Sequence, residues 1–496
     1  MVKAETARKF TFDVAWVFFA STAAMIFGLV IRIFLGNFFD ASGLGAYAMV
    51  LTIWGIVTLT TGAGAPGALI KYVSECPEDR DTCNSLVSAS ILNSFFLGLA
   101  ATIIFVVAAP WLESIFNIPD LGNLLRIASI SFPFVTMNNV FVSYLNAVRK
   151  MKLYAAFEIY RKGIVVIFTI IFIWMGLGIP GAVWALVVAP ISVTIAQEAY
   201  HRKLFMYTFK RYRENTKKLF NFGVRIFVAS ILGTINWSTP TFLIGFYLLD
   251  ADVGVFAVAF MFLNLFLMLP GSIQRITFPM LSQYYFKYNY ISMKKAIETV
   301  VHVTFVLLAI LSIFLFFFID DMISLLFPGK IVFLEAVFLI KMITILGVPY
   351  CTISSIEHFF ISIGKPNIAL YISAVRLGLT FVIGIILVPL NYHVLGIQIG
   401  GLNGAAISFG TSLIISAFIY LFIMKRHIPI PLNLNSFYGG FGLFLFFIAL
   451  SLIITNLLPG FENLIGILIS IFLTMILYIL IVLPLGGLKS LLAIKR

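Results

Sequence analysis

Eight basic residues interrupt long apolar runs: Arg32, Arg126, Arg161, Lys162, Arg225, Arg275, Lys341 and Arg376. A cation at bilayer depth costs roughly 2.5–3.5 kcal/mol on insertion scales, so it should face a bundle interior, a wet cavity or a carboxylate. The chemistry open to such groups is anion binding, because a guanidinium offers a planar fork matched to phosphate oxygens and an ammonium a point charge. Arg376 lies about nine residues, or about 13 Å, into its predicted helix, and no acid shares that helix. It is the first candidate for a cavity-facing group that holds an anionic headgroup. Arg225, Arg275 and Lys341 sit about six to eight residues from a helix end, where cargo contact competes with snorkelling. Arg32, nearer the outer surface, and Lys71, at an inner rim, complete the candidate set. Glu158 precedes Arg161 and Lys162 by three and four residues, the spacing at which a helix lets opposite charges meet, so that trio is expected to satisfy itself. Glu357, His358 and Asp13, with His302, are the titratable groups that could carry a coupling proton or sodium ion. Each lies close to a predicted inner edge, where interfacial solvation is the competing account.

The elements that carry these residues follow from composition. Of 496 residues, 61% are hydrophobic and 11% charged, with a mean hydropathy of +1.08. Soluble domains are about 45–50% apolar and about 25% charged, so a water-soluble or disordered chain is excluded. Spans of about 20 apolar residues are expected for membrane helices. Fourteen are read here, over 10–36, 43–62, 85–110, 121–147, 155–178, 181–200, 219–249, 253–283, 296–319, 334–363, 367–389, 402–424, 436–457 and 464–485. The runs are continuous rather than alternating, which excludes a porin-like barrel. With the N-terminus inside, 24 cations fall in inner segments and one, Lys330, in the outer loops. That asymmetry is the positive-inside pattern and predicts a multi-pass protein of the cell (cytoplasmic) membrane with both termini cytoplasmic. The net charge of +13 therefore points to topology and anionic cargo, with no nucleic-acid partner. The first apolar run is too long for a cleavable signal. Cys76, Cys83 and Cys351 are too few for a disulfide framework and are not spaced for zinc, so free thiols and no metal are expected.

The chain also repeats itself. Phe34-Leu35-Gly36 through Gly45-Ala46-Tyr47-Ala48 is echoed 209 residues later by Leu243-Ile244-Gly245 through Gly254-Val255-Phe256-Ala257. Pro133-Phe134-Val135-Thr136 recurs as Pro349-Tyr350-Cys351-Thr352, and Gly181-Ala182 as Gly404-Ala405. The predicted architecture is all-α: a six-helix lobe over 1–201, a basic cytoplasmic linker over 202–218, a second, parallel six-helix lobe over 219–426 and an extra helix pair over 427–496. Carriers of this kind place substrate at the interface of their halves and rock one against the other. Pro133, Pro190, Pro240, Pro270 and Pro349 are read as lying inside helices, and the repeat-equivalent Pro133 and Pro349 suggest paired kinks.

One stretch is specific enough to carry a resemblance. Gly28-Leu29-Val30-Ile31-Arg32-Ile33-Phe34-Leu35-Gly36, Ser42-Gly43-Leu44-Gly45-Ala46-Tyr47-Ala48 and Gly64-Ala65-Pro66-Gly67-Ala68-Leu69-Ile70-Lys71-Tyr72-Val73-Ser74-Glu75 together resemble the opening of the Wzx-type polysaccharide-biosynthesis oligosaccharide flippases. These belong to the superfamily that also holds multidrug extruders and lipid II flippases. The resemblance implies an alternating-access carrier that turns a polyprenyl-(di)phosphate-linked glycan from the cytoplasmic to the outer leaflet. Its partners would be that glycan and membrane lipids, and it would act as a monomer. No cofactor is implied beyond a driving force from Na+, H+ or the membrane potential. Two alternatives stay open: a multidrug antiporter of the same superfamily, which would need buried carboxylates for organic cations, and a membrane glycan polymerase or ligase. The short outer loops and the lack of GxSxG, HExxH or P-loop motifs argue against an enzyme.

Overall fold

The computed structural model describes residues 2–427, except 63, 76–78, 117, 202–205, 358, 364, 391–392 and 395–396, together with 437, 441–442 and 444–445. The rest of the predicted C-terminal helix pair lies outside the described residues, as do Cys76, His358 and the side chains of Asp13, Arg225 and Arg275. Two compact units are present, Met1–Gly254 and Val255–Arg496. The first holds α1 (Val2–Thr61), α2 (Ala65–Glu75), α3 (Arg80–Phe116), α4 (Leu121–Ser129), α5 (Phe132–Ala147), α6 (Met151–Trp174), α7 (Gly178–His201), α8 (Tyr212–Tyr247) and the first turn of α9 (Asp250–Phe286). The second continues α9 and adds α10 (Tyr290–Leu326), α11 (Glu335–Ser354), α12 (Phe359–Ser362), α13 (Pro366–Leu387) and α14 (Gly401–His427). A two-residue antiparallel ladder, His393–Val394 with Ile397–Gln398, joins α13 to α14.

Each helix predicted as far as residue 424 has a counterpart. Apolar surroundings offer the backbone no water, so the apolar runs satisfy their amides internally as helices. Among the described residues, eight helices are long and apolar enough to cross a membrane, or nine if α4 and α5 are counted as one bent span. α6 falls outside that group because Glu158, Arg161 and Lys162 sit in its middle. A straight helix the length of α1 would reach about 90 Å, far beyond a hydrocarbon core of about 30 Å. It does not run straight: Asp40 is non-helical at φ 63°, ψ −170° and divides α1 where two predicted spans meet.

The two repeat-equivalent prolines stand at different places in their helices. Pro133 stands in the first turn of α5, where its missing donor is no loss, and α4 and α5 meet there at a 47° bend. Pro349 lies inside the continuous α11.

The duplicated glycines meet directly. A Cβ on Gly45 would lie 1.8 Å from the Asp250 carbonyl oxygen, and one on Gly254 would lie 1.9 Å from the Ala41 carbonyl oxygen. Asp250 follows Ala41 by the same 209 residues that separate the two glycines, so the crossing is isologous, each repeat offering the same surface to the other. The Ser42 hydroxyl donates to the Asp250 carboxylate at its edge. Gly64, at φ +72°, turns α1 into α2 against the Gly223 carbonyl oxygen, which a Cβ would approach to 1.9 Å. Ahead of α3, the Asp79 carboxylate accepts from the Thr82 amide (3.0 Å) and hydroxyl (2.5 Å), and these bonds hold its carboxyl below the usual carboxylate range.

Gly45→Ala and Gly254→Ala should each destabilise the protein by about 1–3 kcal/mol through overpacking. Gly55→Ala, whose Cβ meets nothing within 4 Å, should be neutral or slightly stabilising, since alanine is the better helix former. Thermal unfolding of the detergent-solubilised variants checks the contrast; equal behaviour of the three would mean that the crossing is not close.

Candidate functional site

The second unit contains a broken helix. α11 ends at Ser354, a turn follows, and α12 begins at Phe359, which frees several backbone carbonyls. Side chains of α9 and α14 receive them. Gln274 Nε2 donates to the Ser354 carbonyl at 3.0 Å, and Thr277 Oγ1 to that of Ser355 at 3.0 Å. The Tyr420 hydroxyl lies 2.7 Å from the Ile356 carbonyl and 2.9 Å from that of Glu357. Irregular backbone at membrane depth survives only when it is buried in protein or lines a cavity, and this turn, which carries Glu357, meets that condition.

Arg376 reaches the same place from α13. It is 4% exposed, its guanidinium carbon stands 4.8 Å from the Tyr350 ring centroid, and it donates to the Tyr350 hydroxyl. That hydroxyl points on toward Glu357 Oε2, 3.4 Å away, and Glu357 acts electrostatically on Arg376. Thr380 Oγ1, 3.0 Å from the Arg376 carbonyl and 2.7 Å from Ser412 Oγ, ties this turn of α13 to α14. A small pocket opens beside the group, lined by Tyr350, Ser354, Glu357, Ile372, Ser416 and Tyr420, with room for about one water-sized sphere. A fixed guanidinium, a ring and a half-buried carboxylate around such a pocket suit the binding of a proton or a small cation, for which Arg376 is the resident competitor. Sequence reading set Arg376 facing a cavity; in the structure its side chain is buried against Tyr350.

The other candidates separate into distinct environments. Lys341 Nζ pairs with Asp320 Oδ2 at 2.7 Å and stands 5.4 Å from the Phe316 ring centroid. Arg161 pairs with Glu158 at 2.7 Å, as its spacing predicts. Lys162 lies within electrostatic reach of Arg161, Glu158 and also Arg32, so the α1 arginine joins the α6 trio instead of standing apart. Lys162 thus has Arg161, Glu158 and Arg32 around it, and all four side chains are half-buried. Lys71 lies 3.9 Å from Glu75, one helical turn on, and 4.1 Å from the Phe222 ring centroid. His302 is not solvated at an interface: it is 3% exposed with both ring nitrogens unpartnered. Of Arg225 on α8 and Arg275 on α9, as of Asp13, the helix position alone is described. Tyr350, Tyr420, Gln274 and Thr277 were missed in the sequence. The one signal was the Ser354-Ser355 pair ahead of Glu357, a polar interruption that marks a helix break.

Comparison with known proteins adds the family. The polysaccharide biosynthesis protein family profile matches residues 10–285, more than half of the chain. The chain belongs to that family. A MatE profile matches residues 226–386. The succinoglycan biosynthesis transport protein ExoT of Rhizobium meliloti (strain 1021) is 23% identical over 273 residues, covering 55% of this chain and 53% of that protein; the match thus spans about half of the relative's length. Among solved structures, lipid II flippase MurJ in an inward closed conformation is similar with a TM-score of 0.73 at 19% identity, over 92% of this chain and 96% of that one. An inward-facing multidrug resistance MATE family transporter gives a TM-score of 0.67 at 17% identity, over 82% and 94%. The chain shares the helical membrane fold of these two solved proteins, and its apolar helices make it a multi-pass membrane protein.

Removing the Arg376 side chain leaves the Tyr350 hydroxyl and Glu357 without their cation. Arg376→Ala should therefore destabilise by about 1–3 kcal/mol, the range for stranded buried polar groups. Lys341→Ala should lose less than about 1 kcal/mol, as for other half-exposed ion pairs. Thermal unfolding ranks the two, and the reverse order would show that Arg376 is not an internal fastening.

Proposed function

We propose that this transporter moves an oligosaccharide linked through phosphate or diphosphate to a polyprenyl lipid, from the cytoplasmic to the outer leaflet, by alternating access. The observation that carries the reading is the set Arg32, Arg161 and Lys162, in which Glu158 is the one carboxylate acting on Lys162 among the described residues. Unbalanced positive charge within membrane helices is costly, and it is offset when the cargo brings phosphate. The 24-to-one division of cations between predicted inner and outer segments supports loading from the cytoplasmic side. ExoT's role in succinoglycan transport and MurJ's in flipping lipid II support a lipid-linked glycan as cargo. Arg376 is reassigned from headgroup ligand to partner of Glu357, the proposed site of H+ or Na+ coupling.

The MatE match favours a second reading, extrusion of organic cations. The two require opposite signs in the binding region, so one assay separates them. In vesicles reconstituted with the full chain, a fluorescent polyprenyl-diphosphate glycan should change leaflet, while an organic cation dye should not be moved. Arg32→Gln with Lys162→Gln should slow glycan flipping roughly tenfold to a hundredfold, from ~1.5–3 kcal/mol for contacts to a charged group. Dye transport without glycan transport would replace this reading with the antiporter. Glu357→Gln should leave downhill flipping intact and abolish its response to an imposed H+ or Na+ gradient; an unchanged response would remove Glu357 as the coupling group.

A further inference from the structure

The basic stretch over 202–218, read from sequence as a linker, is pinned from Thr208 onward. The Thr208 amide donates to Ser88 Oγ at 3.1 Å, and Asn215 Nδ2 to Ser85 Oγ at 2.9 Å. The Tyr212 hydroxyl donates to Asn93 Oδ1 at 2.5 Å, and Asn93 Nδ2 to Thr216 Oγ1 at 3.0 Å. Ser85, Ser88, Asn93 and Asn215 are all buried. Leu219, 1% exposed, then enters an apolar cluster with Leu69 and Val73 of α2 and Leu86 and Val87 of α3, and Tyr72, Tyr212 and Phe222 pack against it. Hydrogen bonds and a buried leucine thus fix the register of the start of α8 against α2 and α3.

That register crosses two lysines over two rings. Lys218 of α8 holds its Nζ 4.2 Å from the Tyr72 ring centroid of α2. Lys71 of α2 holds its Nζ 4.1 Å from the Phe222 ring centroid of α8 and 5.3 Å from that of Tyr72. The rings meet edge to face at 5.8 Å. Both lysines are exposed. Lys71 has Glu75 at 3.9 Å, with their side chains 42% and 52% exposed, and among the described residues no acid pairs with Lys218. A topogenic cation need only lie on the correct side of the membrane. Here each ammonium is placed over a ring of the facing helix, and both stand against the Tyr72 ring, 4.2 and 5.3 Å from its centroid.

We propose that Lys71 and Lys218, crossed over the Tyr72–Phe222 pair, form a docking site for the diphosphate of a prenyl lipid in the adjacent leaflet, which it engages before transport. The rings restrict the ammonium groups while leaving their remaining N–H donors to phosphate oxygens, and the prenyl tail stays in lipid. The site rests on the reading of the chain as a carrier of phosphate-linked lipid and names where that lipid is first met.

The test uses the full chain in neutral phosphatidylcholine nanodiscs, titrated with farnesyl diphosphate as a short prenyl diphosphate. Lys71→Gln with Lys218→Gln should weaken binding at least tenfold. Lys210→Gln with Arg213→Gln, which removes the same charge from the same stretch, should change it less than twofold. Phe222→Leu should give an intermediate loss, and melting temperatures confirm that each variant is folded. Equal losses from the two charge pairs would reduce the site to general surface charge and overturn it, as would no loss from the first pair. Competition by phosphatidylglycerol at equal mole fraction would also overturn it, by assigning the site to bulk anionic lipid. Loss of selective binding alongside intact glycan flipping removes the docking site alone, whereas selective binding without flipping upholds the site and removes the carrier reading.

Discussion

Permanent positive charge inside helices built from apolar residues is the constraint on which this protein's side-chain arrangement depends. The chain resolves it in different ways. Lys341 turns to Asp320, which is more than half exposed, so that pair is close to a surface interaction and contributes little. Arg161 finds Glu158 on its own helix. Arg376 has no acid on its helix and relies on a ring, a hydroxyl and a carboxylate from the neighbouring broken segment. Around Lys162 the charge stays unresolved, because Arg32 and Arg161 add repulsion that Glu158 offsets only in part. Where the protein leaves cations facing one another, an anion has the most to gain by entering.

The backbone obeys the same rule, and its solutions decide where chemistry can sit. Each helix interruption has side chains ready for the freed groups. At the α4–α5 bend, Thr102 Oγ1 donates to the Ser129 carbonyl at 2.7 Å, and Trp54 Nε1 to Ser131 Oγ at 2.7 Å. At the α11–α12 break, Gln274, Thr277 and Tyr420 serve this purpose. The first interruption is surrounded by structural hydroxyls. The second presents a carboxylate, Glu357, to a pocket. A break in a membrane helix is thus already a small polar environment, and this one also holds a titratable side chain.

Much of this fold was legible in the sequence for a physical reason. Long continuous apolar runs have one stable solution in lipid, and the break near Asp40 was visible because two such runs are too long for one crossing. The Glu158–Arg161 pair was legible because a helix fixes its own i, i+3 geometry. Interactions between helices were not. Tyr350 and Arg376 are far apart in sequence, and no periodicity brings a ring on one helix over a guanidinium on another. The linker shows the same limit. Its lysines and arginines read as a solvated run, while the residues that dock it (Thr208, Tyr212, Asn215 and Thr216) are ordinary polar residues whose partners lie more than a hundred positions earlier. The effect of Pro133 depended on whether a helix began or continued at that residue, which hydropathy does not encode.

The internal repeat shows how the two kinds of chemistry arose from one plan. α6 and α13 both follow an N-cap lysine, Lys150 and Lys365, and Arg161 and Arg376 stand at the same place in them, 215 residues apart. The arginine is common to both halves, but its carboxylate is not. By the Pro133–Pro349 match, the positions corresponding to Tyr350 and Glu357 are Phe134 and Phe141 in the first half, and at the position corresponding to Glu158 the second half has Ser373. With its acid on the same helix, Arg161 is held locally, beside Lys162 and Arg32. With its acid on a different, broken segment, Arg376 ties α13 to the α11–α12 turn through Tyr350. Relocating one carboxylate between otherwise matching halves thus gives the first arginine a partner within its own helix and the second a partner across helices.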